Sequence, residues 1–290
     1  MTGLDLMAWL FEGKPDRPLI NVLDVGAVQV GSQPQSYERL VRADLARVVG
    51  FEPDAEGCAR LNQKFGKPHC FYPYFVGDGQ PATFYQTNWG PTGSLFKPNR
   101  RLLETFQNLH EVMTLQKEHP VETKRLDDVP ELGDVDLVKI DVQGGEQAVF
   151  RGAERVLRNA VVVQTEVEFV ELYEGQPLFA DIDKDLRGRG YQFHTFLAWG
   201  ARCFKPLVVN GDASMGIRQL LWADAIYVKD WLNFGAVPTE KLKKLAVIVH
   251  EVVESPDLCH FTLSQIDARE GTAFAPRYLE ALTAAPHVPR

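Results

Sequence analysis

Four apolar runs in this chain end in acid, and that pattern is where chemistry can start. Ile20-Asn21-Val22-Leu23-Asp24-Val25-Gly26 carries Asp24, and Arg47-Val48-Val49-Gly50-Phe51 delivers Glu52. Val135-Asp136-Leu137-Val138-Lys139-Ile140 delivers Asp141, and Ala160-Val161-Val162-Val163-Gln164-Thr165 runs into Glu166 and Glu168. A buried parallel strand reads as such a run and presents its last residues at the carboxyl edge of an α/β sheet, where ligands bind. Asp24 there suits an ammonium or a ribose hydroxyl. Glu52, 26 residues beyond Gly26, can accept both ribose hydroxyls of a nucleoside cofactor. Glu166 and Glu168 share one strand face if their strand is regular.

The elements that must position these acids follow in order. Gly26 closes the first strand, and Gly26-x4-Gly31 leads into a helical pattern with Tyr37, Leu40 and Val41 on one face. Pro53-Asp54 reads as a turn and helix cap, with the helix stopping at Gly66. His69 to Val76 reads as a third strand closed by Gly77-Asp78-Gly79. Ala82 to Thr87 is an added strand, Asn88 to Pro98 a loop, Leu102 to Leu115 a helix and Val121 to Leu126 a short extended piece. Glu146 to Leu157 and Leu178 to Arg187 are helices, and Tyr191 to Leu197 and Leu220 to Val228 late strands. The expected fold is α/β, a doubly wound, mostly parallel Rossmann-like sheet ending in a hairpin. Residues 1–18 form a lead-in, 19–230 the main domain and 231–290 a helical C-terminal extension, whose apolar faces must cover the sheet or a partner subunit.

Net charge is −8, so a broad phosphate-binding face is not expected, and no nucleic-acid partner. Arg100-Arg101 and Lys241-Leu242-Lys243-Lys244 read as solvated faces. The four cysteines are scattered and the seven histidines lack metal-ligand spacing, so no metal site is expected and a reduced, cytoplasmic chain is. No run approaches the ~20 apolar residues of a membrane span.

Val22-Leu23-Asp24-Val25-Gly26-Ala27, Val49-Gly50-Phe51-Glu52-Pro53, Arg125-Leu126-Asp127-Asp128-Val129 and Val135 to Gly144 occur in that order. Together they resemble the signature blocks of the FkbM family of S-adenosylmethionine-dependent methyltransferases, across roughly residues 20 to 230. The Gly77-Asp78-Gly79 turn, Gly93-Ser94-Leu95 and Gly190-Tyr191 fit as well. The resemblance implies the class I methyltransferase type of sheet and S-adenosylmethionine as cofactor. Asp24, Gly26 and the adjoining Ala27 would meet its methionine portion, and Glu52 with Pro53 its ribose. Asp78 and Gly79 would face its adenine edge, and Asp141 would sit beside the reacting methyl. It also implies O-methylation of a sugar or small natural product, hence a small-molecule or glycan acceptor. Two positions depart from the family's pattern. Val28-Gln29-Val30 replaces the usual short Asn-containing loop before Gly31, and Gln143 stands where a Glu is common.

For an alcohol acceptor the protein must position both reactants and remove a proton. Asp141, Glu146, Glu166, Glu168 and His194 are the candidates. Glu146 equally suits the first turn of a helix, and His194, between Phe193 and Phe196, equally suits a structural role. Trp89, Trp199 and Trp222 are candidates to line an acceptor pocket. Two other readings stand beside this one. A nicotinamide-dependent oxidoreductase is disfavoured because the three-glycine G-x-G-x-x-G pattern is absent. A non-catalytic cofactor-binding or scaffold protein of the same fold is favoured by Gln143 and the altered loop. The helices after residue 231 are the candidate surface for a homodimer.

Overall fold

The computed structural model describes residues 5–13, 17–28 and 34–284. Gly31 and its neighbours in the first glycine loop lie outside the described residues. The strands in chain order are β1 (Ile20–Val25), β2 (Ala46–Phe51), β3 (Cys70–Tyr72), β4 (Phe75–Val76), β5 (Pro81–Thr87), β6 (Leu115–Lys124), β7 (Leu137–Ile140), β8 (Val162–Glu168), β9 (Tyr191–Ala201) and β10 (Leu220–Lys229). Seven of them form one sheet in the order β3-β2-β1-β7-β8-β10-β9. β3, β2, β1, β7 and β8 run parallel, and β10 is antiparallel to both β8 and β9. The chain reverses its winding between β1 and β7, which makes that pair of strand ends the switch point where a doubly wound sheet takes its ligand. This is the class I methyltransferase-like architecture.

Four local readings change. Residues 69–76 are two strands, because Pro73 cannot donate to a ladder; β4 leaves the main sheet and pairs with β6 instead. Residues 102–115 are not one helix. Only Arg100–Leu103 is helical, and the apolar residues that mimic a helical stripe, Leu103, Phe106, Leu109 and Met113, pack in a small separate core with Tyr173 and Leu221. The expected extended piece at 121–126 is the end of β6, a ten-residue strand paired with β5. The helix expected over 146–157 is broken at Gly152, which lies so close to Gly77 that a Cβ would overlap the Gly77 carbonyl.

One face of the sheet explains the rest of the chain. Ile20 and Val22 of β1, Leu137 of β7, Val162 of β8 and Ile226 and Val228 of β10 are buried under helices 239–251 and 256–270. Leu242, Leu245, Ala246, Val249 and Val253 share that core, so the apolar faces of the C-terminal helices are used on the sheet. The opposite face, with Leu23, Val25, Val138, Ile140, Val163 and Val167, packs on helices 146–151, 154–159 and 179–188.

The lysine run at 241–244 is not a solvated face. Lys241 and Lys244 each place Nζ 2.7 Å from the fully buried carboxylate of Asp136, which also accepts from the Asn21 amide at 2.8 Å. Lys243 pairs with Glu270 at 2.7 Å. Asp136 begins β7 at the amino edge of the sheet, so this cluster ties the helical layer to the central strands. Asp136→Ala would leave the largely buried Lys244 ammonium without its anion and Lys241 with only the exposed Asp134 carboxylate, 2.9 Å away. It is expected to lower the free energy of unfolding by about 3 kcal/mol, read from urea denaturation. Among the described residues no helix is long and apolar enough to cross a membrane.

Candidate active site

The face that is apolar at the amino half of the sheet turns polar at its carboxyl half. Asp24 of β1 lies directly across from Lys139 of β7, which lies across from Gln164 of β8. Cross-strand neighbours share a face, so the three form a row. Lys139 Nζ is 3.1 Å from Asp24 Oδ1, and the Tyr37 hydroxyl donates to Asp24 Oδ2 at 2.6 Å. Ser36 donates to Gln164 Oε1 at 2.5 Å. Asp24 is fully buried and both its oxygens are engaged within the protein. In this structure it holds Lys139 and Tyr37 and presents no free carboxylate oxygen.

Gly26 and Ala27 donate their amides to the Phe51 carbonyl at 3.0 Å each, which joins the ends of β1 and β2. Gly26 has φ +80°, and a Cβ there would overlap the carbonyl oxygen of Asp141. The glycine is thus demanded by close approach of β7 as well as by its backbone conformation. Gly26→Ala is expected to lower the melting temperature by several degrees, because it forces an L side chain into the left-handed region and pushes Asp141 away. Calorimetry of the pure protein reads this directly.

Glu52 sits at the end of β2. It is buried and takes the Asp54 amide at 2.8 Å on Oε1. Asp54 in turn caps the next helix at Gly57, and Pro53 is half-buried between the two acids. Among the described residues no cation lies within ion-pair distance of Glu52, and burial pushes its pKa up. A buried acid with an uncommitted oxygen suits a pair of hydroxyl donors. Asp78 stands apart: it accepts from Arg151 Nη2 at 3.2 Å, while Gly79, at φ +86°, donates to Thr123 at 3.0 Å.

A group of acids closes the row. Asp141 follows β7, and Glu166 of β8 lies directly across from Asp224 of β10. Glu166 and Glu168 do project from one face, as alternation requires. Gln143 Nε2 donates to Asp141 Oδ1 at 2.8 Å and to Glu166 Oε2 at 2.5 Å. Glu146 Oε1 takes the Val142 and Gly144 amides at 3.1 and 3.3 Å and so fixes the turn after β7. Burial raises the pKa of Glu166 well above the usual carboxylate range, with Asp141 and then Glu168 adding to it. Burial and then Glu146 do the same to Glu168, while Glu146 is pushed up, by burial first, to about 7. Asp224 is raised by burial and by Asp141. Glu168 is almost wholly buried, with Oε2 unpartnered.

Asp141, Glu166, Asp224, Ala198, Arg202 and Trp222 line both of two adjoining cavities, of about 500 and 550 Å³. Trp89, Pro91 and Met113 wall the first and Trp199 the second. His194 is not among them. β9 runs toward the carboxyl edge from Tyr191, so His194 lies near the amino edge, where it meets Ser255 at 2.9 Å and faces the ring of Trp231. The structure does not bring it to the acids that line the cavities. Asp224, Gln164, Tyr37, Tyr173 and Arg202 are site residues that motif reading passed over. For Asp224 a signal existed: an acid in the middle of the apolar run Leu221-Trp222-Ala223-Asp224-Ala225-Ile226.

Comparison with known proteins now has a site to meet. Residues 24–193 match the methyltransferase FkbM domain. The chain belongs to the FkbM methyltransferase family. It is 32% identical over 184 residues to the 2-O-methyltransferase NoeI of Sinorhizobium fredii, covering 59% of this chain and 71% of that one. Among solved structures, the magnesium protoporphyrin IX methyltransferase of Synechocystis, with S-adenosylmethionine bound, aligns over 78% of this chain and 77% of its own at TM-score 0.38 and 15% identity. The N-terminal domain of EvdMO1, bound to S-adenosylhomocysteine, aligns over 79% and 82% at TM-score 0.36 and 9% identity. The family is one of methyltransferases, which sets the nicotinamide reading aside, and its cofactor is S-adenosylmethionine. The acids fit that cofactor: a cationic sulfonium and ammonium suit an edge where Asp141, Glu146, Glu166, Glu168 and Asp224 have one buried lysine nearby, itself paired to Asp24.

Proposed function

We propose that this chain is an S-adenosylmethionine-dependent O-methyltransferase acting on a hydroxyl of a sugar or small natural product, with Glu166 as the proton acceptor. The observation that carries the reading is the pairing of Glu166 and Asp224 in an aromatic-walled cavity beside Asp141. The 2-O-methyltransferase among its relatives favours an oxygen acceptor, and flat rings such as Trp222 and Trp89 suit the apolar faces of a sugar.

When bound, S-adenosylmethionine supplies a methyl on a positively charged sulfur, leaving as a neutral thioether. The protein's residues do the rest. Glu52 takes the ribose hydroxyls, and Gly26 lets the end of β1 lie against Asp141. Asp141, which lines both cavities, would favour the positive charge of the bound donor. Glu166 would take the proton of the acceptor hydroxyl as its oxygen receives the methyl group. Burial and neighbouring acids raise the proton affinity of Glu166, which makes it a better base than an exposed carboxylate once it is ionised. A cationic donor beside it stabilises that ionised form.

Two measurements test this. Glu52→Ala is expected to weaken S-adenosylhomocysteine binding by about 10- to 100-fold in calorimetric titration, the loss of hydrogen bonds to a charged group. Unchanged affinity would remove Glu52 from the cofactor site. Glu166→Gln is expected to bind that ligand normally and to lower kcat by about 10²- to 10⁴-fold against a hydroxylated acceptor. The parent's kcat should rise with pH through an acid limb above the ordinary carboxylate range, since only the ionised Glu166 can take a proton. Full turnover in Glu166→Gln would end its role as base.

A further inference from the structure

We infer that the carboxamide of Gln143 is a positioning residue for methyl transfer, locking the Asp141 and Glu166 carboxylates together so that Glu166 is held ready as a base. The inference rests on the reading of Glu166 given above.

Three features of the geometry carry it. Nε2 has two hydrogens, and they go to two different carboxylates, Asp141 Oδ1 at 2.8 Å and Glu166 Oε2 at 2.5 Å. The other end of the same amide, Oε1, lies 3.0 Å from the hydroxyl of Tyr173, whose one hydrogen also has the Thr92 carbonyl at 3.0 Å as an acceptor. Turned over, the amide would aim its oxygen at both carboxylates, so the Asp141 and Glu166 side of the site sets its orientation. The backbone is fixed as well. Ser94 donates to the Gln143 carbonyl at 2.6 Å, and Gln143 sits at φ +57°, a conformation that ordinarily goes to glycine. A residue with a long side chain at such a position, directly before Gly144 and Gly145, points to work done by that side chain.

The chemistry explains why an amide stands here and not an acid. Around Glu166 are Asp141 from the end of β7, Glu168 on its own strand, Glu146 on the following helix and Asp224 on β10. Lys139, already paired to Asp24, and Arg202 across the cavity are the cations nearby, and the Tyr173 hydroxyl approaches from the loop after β8. A glutamate at 143 would add one more acid and remove both donated hydrogens. A neutral amide bridges two anions without adding charge. A hydrogen bond donated to the ionised carboxylate favours that form, so it offsets part of the crowding that raises the proton affinity of Glu166.

The test is the pH dependence of turnover in Gln143→Glu, with the parent and Glu166→Gln alongside. Gln143→Glu nearly preserves shape. It is expected to bind S-adenosylhomocysteine within about threefold of the parent. Its kcat at pH 7 should fall about tenfold or more, and its acid limb should move up by about one pH unit or more. Tyr173→Phe removes the hydroxyl beside Oε1 and should move the limb the same way by less; it carries the test if Gln143→Glu fails to fold by circular dichroism. An acid limb left in place in these variants overturns the inference, as does a loss confined to cofactor affinity. If Glu166→Gln keeps full turnover, the base assignment itself is wrong. If Glu166→Gln is inactive while Gln143→Glu keeps the parent profile, only the role of Gln143 falls.

Discussion

Repulsion among carboxylates is the constraint that organises this protein. Asp24, Asp141, Glu146, Glu166, Glu168 and Asp224 gather at the carboxyl edge of one sheet, the first, third and fifth buried and the others half-buried at the cavities. Each is relieved differently. Asp24 takes Lys139 and the Tyr37 hydroxyl, Glu146 takes backbone amides, and Asp141 and Glu166 share one amide from Gln143. Glu168, with one oxygen unpartnered, has the least relief, and both it and Glu166 are raised well above the usual carboxylate range, by burial first and then by their neighbours. Such an edge favours a cationic ligand, as a methyltransferase with a sulfonium donor requires.

The same sheet face that carries these acids anchors the C-terminal helices, and the division along it is sharp. Toward the amino edge Ile20, Val22, Leu137 and Val162 lie under Leu242, Leu245 and Val249. Toward the carboxyl edge the face is Asp24, Lys139, Gln164 and Glu166. The helices stop where the polar row starts, and Asp136 with Lys241 and Lys244 fixes them at the far edge. The residues after 231 therefore cover half a face and leave the other half open for ligands.

Much of the frame was legible because fully buried parallel strands announce themselves. β1, β2, β7 and β8 read as short β-branched runs ending in acid or glycine, and each is found within a residue or two of its expected bounds. Asp54 as a cap and Gly26 as a turn were also readable, since each answers to neighbours a few residues away. The segment 102–115 misled because an irregular chain packing one side against Tyr173 shows the same apolar spacing as a helix. The lysines at 241–244 misled because their partner, Asp136, lies about a hundred residues upstream.

Local pattern was thus enough for the order of elements, the family's motifs and the supply of acids to one edge. Which acids meet was decided only by the folded sheet. β10 runs antiparallel beside β8 and so sets Asp224 against Glu166, while the direction of β9 carries His194 to the opposite edge. Lys139 and Tyr37 turn Asp24 inward, and a left-handed turn aims Gln143 at two carboxylates. The reason is physical: strand character depends on a residue's near neighbours, whereas side-chain meetings depend on strand order, direction and register.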